Sequence, residues 1–201
     1  MKSMVYVEGG GQQRKTLDDC RRGFGQLFEK VLPTGHRPRV IACGDRDSAF
    51  RDFRRDLGQG QEAFHILLVD SEGPVNAQLT SWAHLRNQDG WEKPKTARED
   101  QAHLMVQCME SWFLADRQAL TGFYGKGFLA TSLPRQENVE KILKRDVERA
   151  LCQATQGTQK RSYHKTRHGF DLLAKINPEK LRGASKRARR LFEVLEEPAQ
   201  V

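Results

Sequence analysis

Short apolar runs alternate with helix-period segments over the first seventy residues. MVYV at 4–7 is a β-rich run closed by Glu8 and three glycines. The next segment, TLDDCRRGFGQLFEKVL, sets Leu17, Phe24, Leu27, Phe28 and Val31 at helical spacing. It predicts a helix with Thr16 as N-cap and Asp18 and Asp19 in the first turn, ended by Pro33 and Gly35. PRVIACG (38–44) reads as a second strand, and Ser48 to Leu57 as a second helix with Phe50, Phe53 and Leu57 on one face. FHILLVD (64–70) reads as a third strand. Strands that are apolar on both faces and alternate with helices predict a parallel sheet with crossover helices. Such sheets take ligands beyond the carboxyl ends of their strands. On that edge fall Glu8, Gly44-Asp45 and the pair Asp70 and Glu72.

The pattern then changes. Residues 75–101 are polar and loop-like, with Trp82 and Trp91 as anchors; Trp91, in GWEKPK, reads as exposed. HLMVQCM (103–109) is a fourth strand or the start of a helix, and leads into an apolar helix carrying Trp112, Phe113, Leu114 and Leu120. Residues 125–134 form the natural boundary, so the expected division is an α/β core over 1–125 and a basic helical region over 126–201 packed on it. Val139, Ile142, Leu143, Val147 and Leu151 make one apolar stripe there, and Phe170, Leu172, Leu173 and Ile176 another. Asn177-Pro178 and Ser185 are cap signals for the last helices. No internal repeat or low-complexity segment interrupts the chain.

Composition narrows the class. Mean hydropathy is −0.72, and no apolar run approaches the roughly 20 residues of a membrane span. The apolar part of MKSMVYVEGG is too short for a signal peptide. Cys20, Cys43, Cys108 and Cys152 are scattered without zinc spacing, which fits reduced, mostly buried thiols in a cytoplasmic protein. The net charge of +8 is unevenly spread. Residues 141–190 hold 15 Lys and Arg against four acids, and the rest of the chain is slightly negative. A basic arm beside an acidic site suits a metal-using enzyme acting on a polyanion; the plainer reading is a solvated helical face.

The acids carry the candidate chemistry. Side chains two apart on a strand share a face and lie about 7 Å apart. Asp70 and Glu72 can therefore face one site, joined by Glu8 if the strands are neighbours. Three converging carboxylates without His or Cys make a hard oxygen site suited to Mg²⁺ or Mn²⁺. The alternative is that these acids end strands in solvent; the two strand ends together favour the metal. EGGG either cradles phosphate or lets the chain turn tightly, and it is neither a Walker loop nor a dinucleotide fingerprint.

A Glu-Gly ending the first strand and an Asp-x-acid ending a later parallel strand resemble the Toprim domain of topoisomerases, primases, and OLD-family and RloB-like nucleases. The usual second motif is Asp-x-Asp; here it is Asp70-Ser71-Glu72, one methylene longer at the last acid. VEGGG (7–11), RVIACGDRDSAFRDF (39–53), LLVDSEGPV (67–75), QAHLMVQCMESWFLAD (101–116) and YHKTRHGFDLLAKINPEKLRGAS (163–185) resemble domain-of-unknown-function family 4276, which is Toprim-related. The resemblance implies a Toprim-like (Rossmann-like), mainly parallel α/β sheet flanked by helices with a C-terminal helical extension. It implies metal binding and catalysis by Glu8, Asp70 and Glu72, and a partner ABC-type or AAA-type ATPase in anti-phage defence.

Secondary candidates surround these acids. Glu110 is a fourth metal ligand or a first-turn acid favoured by its helix dipole. In YHKTRHG, Lys165 and Arg167 suit phosphate contact and His168 a proton shuttle, against the plain reading of a basic loop before a helix. Arg46 lies on the same edge, as a phosphate contact or a local partner of Asp45 and Asp47. His103 reads as a core or surface histidine, and Asp116 as a cap. The expected function is a Mg²⁺- or Mn²⁺-dependent nuclease of DNA or RNA, with a homodimer left open. The alternative is a non-catalytic sensor or scaffold working with an ATPase.

Overall fold

The computed structural model describes residues 2–33, 35–59 and 63–197. Four strands, β1 (Lys2–Gly10), β2 (Arg39–Gly44), β3 (Ala63–Asp70) and β4 (Ala102–Met105), form one sheet in the order β2-β1-β3-β4. Every pairing is parallel. The helices α1 (Arg14–Glu29), α2 (Arg46–Leu57) and α3 (Ser81–Asp89) connect the strands in turn. The period-2 alternation of the strands explains this layering. Val5, Val7, Ile66 and Leu68 face α1, where Phe24, Leu27 and Phe28 meet them; Tyr6, Leu67 and Val69 face α2 and α3, against Phe53, Trp82 and Leu85. Both sets are buried, so each face of the sheet needs a helical layer. The chain leaves β1 for β2, then crosses back past β1 to β3, making the ends of β1 and β3 a topological switch point.

Beyond the sheet lie α4 (Met109–Phe113), α5 (Arg117–Tyr124), α6 (Lys144–Thr155), α7 (Lys165–Leu173), α8 (Pro178–Ala184) and α9 (Lys186–Glu196). These helices share one apolar cluster with the β1–α1 face, running from Val5 and Phe24 through Trp112 and Leu151 to Phe170 and Leu191. Helix α7 packs on α1, and α9 lies against β4. Asn177 caps α8 with Pro178 behind it, and Ser185 caps α9.

Several local expectations are corrected. Helix α1 starts at Arg14, with Gln13 as N-cap; the Thr16 hydroxyl sits inside the first turn and donates to the Gly10 and Gln13 carbonyls. Asp18 and Asp19 consequently fall past that turn and pair with Arg21 and Arg22. Helix α2 starts at Arg46 because the Asp45 carboxylate accepts the Ser48 N–H at 2.8 Å. The expected loop at 75–101 contains α3, opened by a Thr80 side-chain cap and closed by Gly90 at φ 72°. Trp91 is 8% exposed, stacked on Phe50 with ring centroids 4.5 Å apart, because the polar residues around it turn outward. The long apolar helix after β4 is two helices, divided where Asp116 caps α5. Leu143 is the exposed N-cap of α6, so the first C-terminal stripe is not one helical face. Among the cysteines, Cys152 is exposed.

Candidate metal centre

The site forms where β1 and β3 end. Glu8 lies near the end of β1, Asp70 is the last residue of β3, and Glu72 follows two residues later. One carboxylate oxygen from each lies within 4.8 Å of the others. Each acid is held by its own neighbours. The Asp70 carboxylate, 2% exposed, accepts the Met109 N–H at 2.8 Å from the start of α4. Glu8 accepts the Asp70 N–H at 3.2 Å and an Arg46 N–H at 3.3 Å. Glu72 adopts φ 61°, a left-handed conformation that costs a non-glycine residue about 1 kcal/mol. The Glu72 N–H bonds to the Gln107 carbonyl at 3.0 Å, and its carboxylate accepts from Lys144 at 2.7 Å.

The glycines after Glu8 permit close packing. A Cβ on Gly10, at φ +90°, would lie 2.8 Å from the Thr16 carbonyl oxygen, and one on Gly44, at φ +85°, would lie 2.6 Å from that of Gly11. The turn after β1 can therefore press against both the start of α1 and the end of β2. Glu8, Gly9, Asp70, Lys165 and Phe170 line the resulting cavity of about 140 Å³.

Burial and the nearby Glu8 charge push the Asp70 carboxyl well above the usual carboxylate range. Burial also raises Glu8, against the pull of Arg46. The Lys165 ammonium lies 3.9 Å from Asp70 and 3.8 Å from Glu110. Burial works against its charge, but Glu110, Asp70 and Glu8 outweigh this and raise it to about 12. Glu110 is 2% exposed; one oxygen accepts the Tyr163 hydroxyl at 3.0 Å, and the other has no partner among the described residues. An all-oxygen donor set with an orphaned buried carboxylate oxygen beside it fits a hard divalent cation.

Of the other sequence candidates, Arg46 adjoins the acids. Arg46 forms two 2.7 Å bonds to Asp89, donates to the Asp70 carbonyl, and stacks 5.0 Å from the Trp91 centroid. It thus braces the acidic loop against α3; its carboxylate partners are Asp89 and Glu8 rather than its chain neighbours. His168 is buried, with Nδ1 accepting from the His164 N–H and the Tyr124 hydroxyl at 3.2 Å each, and burial lowers its pKa. Arg167 is exposed and lines a separate cavity between α1 and α7. His103 is buried beside Asp100, and all three tryptophans are buried. Sequence reasoning missed Asp89 and Lys144 as charge partners. Only the fold brings them 43 and 72 positions along the chain to Arg46 and Glu72.

A family model described as Domain of unknown function (DUF4276) matches residues 7–196. The chain belongs to this family. No curated protein and no solved structure matches it. The DUF4276 match includes Glu8, Asp70, Glu72, Glu110 and Lys165, so the whole acidic cluster lies inside the family's span.

Proposed function

We propose that this DUF4276 protein is a Toprim-type nuclease that uses Mg²⁺ or Mn²⁺ to hydrolyse phosphodiester bonds of DNA or RNA. The observation carrying this reading is the convergence of Glu8, Asp70 and Glu72 to within 4.8 Å at the switch point of a parallel sheet. These three residues would hold the ion, with the free oxygen of Glu110 as a further donor. Bound there, a divalent cation supplies positive charge to phosphate oxygens and lowers the pKa of water. The chain's own part is positioning. The Met109 N–H fixes one Asp70 oxygen, the Asp70 N–H and Arg46 orient Glu8, and the Gln107 carbonyl anchors the Glu72 backbone. Half-exposed Lys165 can meet a phosphate at the cavity mouth. An ATPase partner and a role in phage defence belong to this reading through the Toprim resemblance.

A second reading, a non-catalytic scaffold, is favoured by one observation. Arg46, Lys144 and Lys165 already set cations against these acids, so the cluster holds together without an ion. The deciding experiment incubates the protein with plasmid DNA, single-stranded DNA and total tRNA in Mg²⁺ or Mn²⁺, beside Asp70→Asn. Cleavage by the natural protein alone supports the nuclease and names its substrate. No cleavage of any substrate, together with no Mn²⁺ binding, leaves the scaffold.

A further inference from the structure

The acidic cavity does not stand alone. A second cavity, of about 380 Å³, opens between α1 and α7 and shares two lining residues, Thr166 and Phe170, with the first. Its volume is in the range of small-ligand sites, whereas the acidic cavity has room for little more than a phosphate and part of a sugar. Its floor is closed because the helices touch: a Cβ on Gly23 of α1 would lie 2.7 Å from the Phe170 carbonyl oxygen. Its rim is polar and bears Lys15, Arg22 and Arg167 against Asp19 and Asp171. These cations differ in state. Arg22 is committed to Asp19 at 2.9 Å and Asp171 at 2.8 Å. Lys15 and Arg167 are exposed and have no carboxylate partner among the described residues. The starts of α1 and α7 line the same cavity, and neither has a side-chain cap, so their first N–H groups add partial positive charge.

We propose that this second cavity holds the phosphodiester backbone of the polynucleotide next to the scissile bond, with Lys15 and Arg167 as its charge contacts. The strand would run from the acidic cavity over the Thr166–Phe170 rim into the α1–α7 cleft. The ligand chemistry is the phosphodiester that DNA and RNA share. With Arg22 already paired, Lys15 and Arg167 are, among the described residues, the two rim cations free to meet an anion. The proposal rests on the nuclease reading.

The test uses the full chain carrying Asp70→Asn to block cleavage, and fluorescence anisotropy with labelled single-stranded DNA and RNA of one sequence. The comparison protein carries Lys15→Gln and Arg167→Gln in addition, and a second one replaces Arg135, which lines neither of these cavities, by Gln. Losing both phosphate contacts should weaken binding at least about tenfold and make log affinity against log salt shallower by about 1.4, roughly 0.7 for each contact. Both changes are expected in the Lys15/Arg167 protein and neither in the Arg135 protein. Matching melting temperatures show that the variants are folded, and the single Arg167→Gln variant gives a smaller drop with the same sign. Mn²⁺ binding by the Lys15/Arg167 variant, made with Asp70 intact, should equal that of the natural protein. Unchanged affinity and salt slope in the double variant, with Mn²⁺ binding intact, overturn the cleft and leave the nuclease reading standing. No binding of either oligonucleotide by the Asp70→Asn protein, and no Mn²⁺ binding by the natural chain, overturn both. The DNA and RNA arms identify which polynucleotide supplies the phosphodiester.

Discussion

Asp70 places a carboxylate almost wholly out of water, beside a second acid and 3.9 Å from one half-exposed ammonium. Such a group costs stability unless something positive joins it. Asp70→Asn keeps an oxygen for the Met109 N–H while removing the charge. Its melting temperature in metal-free buffer is therefore expected to equal or exceed that of the natural protein. Direct ligands matter at least as much as the groups behind them, so its Mn²⁺ affinity should fall about 100-fold or more. A drop in melting temperature without a drop in Mn²⁺ affinity would contradict both expectations. Glu110→Gln makes a parallel case: it relieves a buried acid with an orphaned oxygen, and Mn²⁺ titration is expected to show weaker binding without lost stability. The opposite pair of changes would make Glu110 a structural partner of Tyr163 only.

At the scale of elements, two glycines of α1 offer a controlled comparison. Gly25 has open space where a Cβ would go, while Gly23 has the Phe170 carbonyl oxygen 2.7 Å away. Alanine favours a helix over glycine by about 1 kcal/mol, so Gly25→Ala should raise stability by roughly that amount in urea unfolding. Gly23→Ala should instead destabilise by about 1–3 kcal/mol, because α7 cannot withdraw without opening the shared core. Equal effects at both positions would mean that α1 and α7 are less closely packed than described.

The same elements show what the sequence makes legible. Doubly apolar strands alternating with amphipathic helices specify a parallel sheet, and strand ends locate Glu8 and Asp70 within a residue or two. Helix α3 is harder to see because only Trp82, His84 and Leu85 are buried, although Thr80 and Gly90 mark its ends. The burial of Trp91 and the Arg46–Asp89 bond depend on α3 returning to α2, and no local pattern encodes that return. Leu143 misleads a periodicity reading because apolar residues also occur at exposed helix starts.

For the whole molecule, the four strands and the C-terminal helices form continuous packing, and no helix among the described residues is long and apolar enough to cross a membrane. Acid should loosen this packing through His103, which is 4% exposed beside Asp100, Arg187 and Arg190. Burial lowers its pKa from 6.5 to about 4. A histidine with a lowered folded pKa contributes full stability above its unfolded value and loses it as pH falls toward the folded one. From about pH 7.5 to about pH 5, the natural protein should lose about 2 kcal/mol more than His103→Gln in urea unfolding. Equal losses would place His103 in contact with water. The basic C-terminal half and the acidic switch point are bound into one body, an arrangement in keeping with the proposed metal-dependent nuclease. The most direct test of the proposed metal centre is calorimetric titration of Mn²⁺ into the natural protein and Asp70→Asn. Saturable binding to the natural protein that is lost in the variant is the expected result. No binding to either protein, or equal binding to both, would contradict the metal centre.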